Sequence, residues 1–350
     1  MPLSRPKGYR PYAEGMRIGV VGAGAVGGAL AAILDRAGHD VEVTARGAHL
    51  DALRSEGLRL DGAWGGHLAH PAAGTTLTRR PDLALVTTKA HDTLEATRQN
   101  ASALEGVPLL VVQNGLGGVD AVRAALPASP VAGALALFAA SYLAPGRVEV
   151  TASAPLVIQA DAPGAQFVAL LAPLVPVESV RDFAGAQWTK LIVNQVNALP
   201  AVTGLSVQEV GAHPGLRAVQ TRSTREAVVV ALAGGVRFAA LGGRDHDSLV
   251  AFAGMSVADA ETQTGAIARG YGDVPNPAST LQSIRRGRTT EIDQLNGAVV
   301  VAAERAGGAA PVNALLVSLV HDVERTGRFL VPDEVVRLAA TLPTVDALRG

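Results

Sequence analysis

The sequence predicts an α/β fold: an N-terminal doubly wound parallel sheet followed by a mostly α-helical C-terminal domain. Three observations carry this reading. Short apolar runs alternate with helical stretches from Met16 to about Val180, a glycine-rich turn joins the first run to the first helix, and after about Arg181 the period becomes that of longer helices. With 350 residues the chain has room for about two domains with sizeable cores.

Each strand is justified by its composition. Arg17–Val21, Val41–Thr44, Leu83–Thr87, Val107–Val112 and Val131–Phe138 are continuous apolar runs, the pattern of strands buried on both faces. Strands separated by helical segments are expected to pair in parallel through right-handed crossovers. Arg147–Thr151 and Leu156–Ile158 flank a turn of small and polar residues and read as a terminal hairpin. Helical period then runs through Phe183–Val202, Leu216–Ala240, Glu291–Ala306 and, after Pro311, Val312–Thr326. The expected organisation is a flexible tail over 1–15, a nucleotide-binding domain over 16–181 and a helical substrate and dimerisation domain over 182–341.

Composition narrows the function. Forty-eight percent of residues are apolar and 17% charged, which excludes a disordered chain. Thirty basic against 31 acidic residues give no field for phosphate backbones, so nucleic acid is not an expected partner. Zero cysteines exclude disulfides, thiolate metal sites and a cysteine nucleophile, and fit a cytoplasmic location. The opening residues carry Arg5, Lys7 and Arg10 but lack the apolar core of a signal peptide. No charge occurs between Arg123 and Arg147, yet Pro127, Pro130, Gly133 and Pro145 interrupt that stretch, so no transmembrane segment is expected.

The turn Gly22-Ala23-Gly24-Ala25-Val26-Gly27 follows the first strand and opens a helix, the context that G-x-G-x-x-G requires. Gly22 permits the tight turn, Gly24 lets a pyrophosphate approach the backbone, and Gly27 lets helix and strand pack closely. The first domain is therefore read as Rossmann-type. Thr44-Ala45-Arg46 ends the second strand, where an acid would bind the adenosine ribose; the guanidinium of Arg46 instead suits a 2′-phosphate, favouring NADP over NAD. The rival is Glu42, twenty positions beyond Gly22, as a ribose acid. Lys89 and Asn114 end later strands at the same sheet edge, within reach of phosphate and nicotinamide ribose; an ordinary turn also explains Asn114-Gly115.

In the second domain, Lys190, Asn194 and Asn197 fall within about 60° of one another on a helix. This polar stripe either faces solvent or lines a cleft. Thr290 is placed to cap the next helix with Asp293 at its third position, and Glu291 either serves that cap or partners a lysine. The histidines give no metal pattern: His67 and His70 lack ligating company, and Asp245-His246-Asp247 reads as a charged loop.

Together the glycine turn, Arg46, Lys89, Gln113-Asn114-Gly115, Trp188-x-Lys190 and Ser279 with Thr290-Glu291-Ile292-Asp293 closely resemble the ketopantoate reductases (2-dehydropantoate 2-reductases) over roughly residues 16–326. The resemblance implies NADPH-dependent reduction of ketopantoate to pantoate on the route to pantothenate and coenzyme A. It makes Lys190 the general acid, Asn194, Asn197 and Ser279 substrate ligands, and Asn114 a contact to cofactor and substrate. It also gives Glu291 the cofactor ribose and the orientation of the lysine, gives Arg46 and Lys89 to NADP, and brings the backbone near Ala139 close to the cofactor. Family members are often dimers, so the resemblance leaves a homodimer open. One departure stands out: the family's second asparagine usually lies eight residues beyond the lysine, whereas Asn197 lies seven beyond Lys190, a change worth about 100° of rotation unless the helix absorbs it.

The chemistry agrees. Hydride addition to a 2-oxo acid puts negative charge on the carbonyl oxygen, and a positioned lysine both stabilises that charge and donates a proton. No metal is called for. The alternatives are a reductase of a different branched 2-oxo acid on the same scaffold and a non-catalytic NADP-binding sensor.

Overall fold

The computed structural model describes residues 15–343, so all but the last residue of the expected tail lies outside the described residues. These divide into two compact units, 15–113 with Gly117–Phe183, and Asn114–Leu116 with 184–343.

The first unit is built on an eight-stranded sheet. Its strands are β1 (Arg17–Val21), β2 (Asp40–Thr44), β5 (Ala72–Gly74), β6 (Leu83–Val86), β7 (Leu109–Val112), β8 (Val131–Ala136), β11 (Leu156–Gln159) and β12 (Val177–Val180), in the order β12-β11-β8-β7-β6-β1-β2-β5. The chain leaves β1 toward β2 on one side and returns to β6 on the other, so the point of reversal lies between β1 and β6. That is where a doubly wound sheet opens a crevice beyond its strand ends.

The sheet is parallel as expected except that β11 runs antiparallel to β8. One expectation is corrected. The hairpin does not form: β10 (Arg147–Ala152) pairs with β3 (Leu58–Gly62) and β9 (Ala139–Ala144) in a separate four-stranded sheet completed by β4 (His67–Ala69). Pairing Arg147 with Arg59 joins segments far apart in sequence, which no local pattern reveals.

Helix α1 (Ala25–Arg36) packs against strands of both sheets, with every residue from Gly27 to Leu34 buried. A helix covered on all sides has no use for a polar stripe, which explains its run of Ala, Leu and Ile. At Gly28 a Cβ would stand 3.0 Å from Val148 Cγ1 of the small sheet. Leu30, Ile33 and Leu34 share one core with Ile18, Val20, Leu58, Leu60 and, from α6 (Ala162–Leu171), Phe167.

The second unit is helical. Its centre is α10 (Pro214–Ala233), packed by α9 (Val207–Ala212), α11 (His246–Gly254), α12 (Val257–Arg269), α14 (Asn296–Arg305), α15 (Pro311–Thr326) and α16 (Pro332–Ala340). Two of the expected helices are broken. The stretch expected over Phe183–Val202 is α7 (Phe183–Asn194), a 3₁₀ turn at Gln195–Asn197, and α8 (Ala198–Thr203). The one expected from Glu291 begins as a 3₁₀ turn at Ile292–Gln294, breaks at Leu295 with φ −102° and ψ −93°, and resumes as α14. Both breaks serve one buried cluster, because Asn296 Nδ2 donates to Gln195 Oε1 and to Asn313 Oδ1, each at 2.9 Å. No helix among the described residues is long and apolar enough to cross a membrane.

Candidate active site

The nucleotide half grows from the β1–α1 turn. Gly22 has φ +101°, and a Cβ there would lie 2.8 Å from Thr88 Cγ2. At Gly27 a Cβ would fall 2.2 Å from both Gly22 O and Thr87 Oγ1. Around Gly24, by contrast, the same construction meets open space. The α1 N-terminus has no side-chain cap and no acid in its first turn, so the N–H groups of Ala25, Val26 and Gly27 are left for an anion. Gly27→Ala is accordingly expected to abolish cofactor binding, since the intruding methyl meets the Gly22 backbone carbonyl as well as the Thr87 side chain that holds the turn; titration of NADPH into the variant by fluorescence checks this.

Three side chains that sequence reading missed hold the turn in shape. Thr44 Oγ1 accepts from Gly22 N–H at 2.9 Å, and Thr87 Oγ1 donates to Gly22 O at 2.7 Å. His49 pairs its Nε2 with Ala23 O at 2.6 Å while its Nδ1 accepts from Gly146 N–H at 2.9 Å. An accepting Nδ1 fixes the neutral ring with the proton on Nε2. None of the three belongs to the glycine pattern; Thr44 and Thr87 had the signal of standing at strand ends, and His49, inside α2, had none.

The rival for the ribose is removed by its own bonds. Glu42 is buried, and its carboxylate accepts from Thr78 N–H and Thr78 Oγ1, both at 2.7 Å, and from Arg79 N–H at 3.3 Å. Arg46 stands exposed ahead of α2 (Gly47–Ser55), with one guanidinium nitrogen on Gln99 Oε1 at 3.2 Å. Lys89 precedes a short 3₁₀ turn after β6, and Ala139 opens β9. Gln113 Nε2 ties Thr88 O to the end of β7 at 2.8 Å.

In the helical unit, Lys190 is half-buried, and burial holds its pKa below the ordinary lysine value. Its ammonium makes no hydrogen bond or ion pair to any described residue. One turn on, the Nδ2 of buried Asn194 also has no partner. Asn197 Nδ2 donates to Asn194 O at 2.9 Å, and its Oδ1 accepts from Ser279 N–H at 3.3 Å. Ser279 belongs to α13 (Ala278–Arg285), entered through Ala278 at φ +57°, a left-handed conformation that costs an alanine about 1 kcal/mol or more.

The 3₁₀ turn answers the shortened spacing. Residues in it rise about 2.0 Å rather than 1.5 Å, so Asn197 stands about 12 Å along the axis from Lys190, the rise of eight α-helical residues. Its tighter winding also restores about 60° of the 100° that the missing residue removes. Lys190, Asn194 and Asn197 thus remain on one face.

Glu291 begins the broken segment, and Asn114 belongs to the same unit, as does Gly115, whose carbonyl accepts from Gln187 Nε2 at 3.4 Å. The expected capping box is not formed: Thr290 Oγ1 accepts from Ile292 N–H at 3.3 Å, two residues on rather than three. The loop is anchored by α15 instead, through Glu324 on Thr290 N–H at 2.7 Å and through His321, which lies 2.9 Å from both Asp293 and Glu324. Burial lowers the His321 pKa, but the two carboxylates outweigh it and raise the net value above 6.5. This anchor is full below pH 6.5 and fades as pH rises through the raised value. His321→Gln is expected to flatten a small decline in melting temperature above pH 6.5, worth under about 1 kcal/mol at so exposed a site.

The other histidines have structural duties. His67 lies 2.8 Å from Asp35 of α1, and Asp245 caps α11 in a capping box with Ser248. Among the described residues no cluster of three or more His, Cys, Asp or Glu is arranged to hold a metal.

A doubly wound sheet with an uncapped, glycine-lined helix start, followed by a helical unit bearing a half-buried lysine, defines a pyridine-nucleotide-dependent oxidoreductase. Residues 18–163 match the family described as "Ketopantoate reductase PanE/ApbA", and residues 182–324 its C-terminal counterpart. A 2-dehydropantoate 2-reductase of Pyrococcus horikoshii is 27% identical over 319 residues, covering 89% of this chain and 99% of its own. One from Mesorhizobium japonicum is 30% identical, over 81% and 90%. Among solved structures, a PanE/ApbA family ketopantoate reductase from Ralstonia eutropha is 32% identical with a TM-score of 0.76, covering 89% of this chain and 99% of its own. D-mandelate dehydrogenase in complex with NADH shares the fold at 20% identity and a TM-score of 0.74 over the same shares. The chain belongs to the ketopantoate reductase family.

Proposed function

We propose that the protein reduces ketopantoate to (R)-pantoate with NADPH, with Lys190 as general acid. The observation that carries this reading is the lysine itself: a half-buried ammonium without an internal partner, on one face with Asn194, Asn197 and the Ser279 contact. NADPH, when bound, supplies the hydride. Gly24 and the first turn of α1 hold its pyrophosphate, while Arg46 and Lys89 hold the 2′-phosphate end. Asn114, Glu291 and the backbone at Ala139 complete the cofactor contacts. Asn194, Asn197 and Ser279 bind the substrate carboxylate and hydroxyl with neutral donors, adding no unpaired charge beside that of Lys190 when the site is empty. Lys190 Nζ donates its proton to the carbonyl oxygen as negative charge develops there, and its lowered pKa makes that donation easier. Pantothenate biosynthesis in the cytoplasm is the setting this chemistry fits, and a homodimer the assembly the family suggests.

The occupied state of Glu42 supports NADP over NAD. Arg46→Ala is expected to raise the KM for NADPH about 10- to 100-fold while leaving that for NADH nearly unchanged, since a charge-assisted contact to phosphate contributes about 1.5–3 kcal/mol. Initial rates with both cofactors decide it; an equal rise in both removes Arg46 from the 2′-phosphate. The proposal as a whole is tested by following NADPH oxidation with ketopantoate beside other branched and aromatic 2-oxo acids. Turnover confined to ketopantoate supports it. Activity only on another oxo acid replaces the substrate, and tight NADPH binding without turnover makes the protein a sensor. The D-mandelate dehydrogenase likeness is the specific observation for an aromatic substrate in that panel.

A further inference from the structure

The helical unit contains a cavity of about 310 Å³ that none of Lys190, Asn194, Asn197, Ser279 or Glu291 lines. Its walls come chiefly from α7, α9, α10, α11 and α12, and aliphatic side chains are their largest class, with Val196, Val210, Leu249 and Ile267 among the lining residues. Six polar residues interrupt them, Thr224, Ser248 and Thr264 beside Gln220, Gln263 and Arg244. Gln220 is 4% exposed, and its Oε1 has no hydrogen-bond partner. The Oε1 of Gln263 is likewise buried without one. Arg244 is half-buried and makes no ion pair to any described residue.

Two glutamines of the lining whose buried carbonyl oxygens have no partner call for a ligand that donates hydrogen bonds, because an unmade bond at a buried carbonyl costs about 1–3 kcal/mol. A guanidinium on the same wall calls for an anion. An aliphatic cavity of this size calls for a compact branched hydrocarbon between them. We propose that the cavity is a second small-molecule site, taking a branched aliphatic carboxylate that carries hydroxyl or amide N–H donors.

Gln220 gives the site a route to the lysine helix. Its Nε2 donates to Gln195 O at 3.0 Å, inside the 3₁₀ turn that sets Asn197 against Asn194. A donor engaging Gln220 Oε1 polarises and fixes the same amide, so occupancy is felt at the asparagine face. This coupling rests on the reductase reading; the binding itself does not.

The test uses 2-hydroxy-4-methylpentanoate as the probe, followed by isothermal titration with the whole chain. Wild type and Lys190→Ala are expected to bind it at millimolar concentration or below. Arg244→Ala is expected to weaken binding about tenfold, and 4-methylpentanoate, which lacks only the hydroxyl, to bind about tenfold more weakly than the probe, each the loss of one contact. Ile267→Trp, which fills the cavity from a half-buried position, is expected to abolish binding while melting within a few degrees of wild type. Should Ile267→Trp unfold, Gln263→Leu carries the same comparison. Binding that survives both cavity variants but vanishes in Lys190→Ala places the probe in the catalytic site and overturns the proposal. So does an absence of binding, or a wild-type dimer that Ile267→Trp dissociates, which would make the cavity a covered contact between copies. Coupling is read separately, as a probe-dependent KM for the oxo acid in wild type that Ile267→Trp lacks; an unchanged KM overturns the coupling alone. If no oxo acid is turned over, the titration still decides the binding.

Discussion

Lys190→Ala is expected to lower kcat by about a hundredfold to ten-thousandfold, the range in which a positioned acid contributes, while NADPH affinity stays within about threefold of wild type. The asymmetry follows from placement, since Lys190 belongs to the helical unit and the glycine turn to the other. Stopped-flow turnover and cofactor titration on one preparation measure both. The pH profile adds a sharper signature. The proposed donation needs the charged lysine, so kcat/KM is expected to fall as pH rises through the Lys190 pKa, which burial has moved below the ordinary 10.5. That alkaline limb is expected to vanish in the variant. A variant with wild-type kcat, or one that loses NADPH binding, would exclude lysine as the acid.

Glu226→Ala is expected to cost about 3–5 kcal/mol of stability. Glu226 lies on α10, 1% exposed, and its carboxylate accepts from Val312 N–H, Asn313 N–H and Asn313 Nδ2 at 2.9–3.0 Å. It therefore closes the first turn of α15, where backbone donors have no helical partner and the dipole favours an anion. Burial raises its pKa, against the pull of the three donors and of Arg222. Truncation leaves those donors buried and unpaired at about 1–3 kcal/mol each, partly relieved by entering water. Asn313 also bonds Ser223 O and Asn296, so the loss spreads through the cluster that sets both helix breaks. Urea unfolding of wild type and variant measures the difference, and a loss below about 1 kcal/mol would show that water satisfies the cap.

What was legible in the sequence was local. The glycine turn is contiguous, and its strand and helix flank it directly, so six residues sufficed to predict the strand–turn–helix unit. The Lys190 stripe obeys a helical period over eight residues and was equally open to reading. The small sheet was not, because its strands are three to six residues long and β3 meets β10 across a long stretch of intervening chain. The misread hairpin has the same cause: β10 and β11 are neighbours in sequence but members of different sheets. Gln220, Ser223 and Glu226 were invisible for another reason. Polar residues recurring along α10 look like a wetted face, and only the partners contributed by Gln195, Asn296 and Asn313 reveal that they are interior. The 3₁₀ turn required knowledge of that same cluster.

Helix α1, enclosed between two sheets, has a consequence for how the nucleotide half recognises its ligand. Residues Gly28 to Leu34 are buried throughout, so their amides are expected to exchange deuterium among the slowest of the unit. The glycine turn proposed for the pyrophosphate is the tip of that buried helix. A nucleotide docking there is expected to spend little of its association free energy on arresting motion, with an on-rate set by collision and orientation rather than by a loop that must assemble.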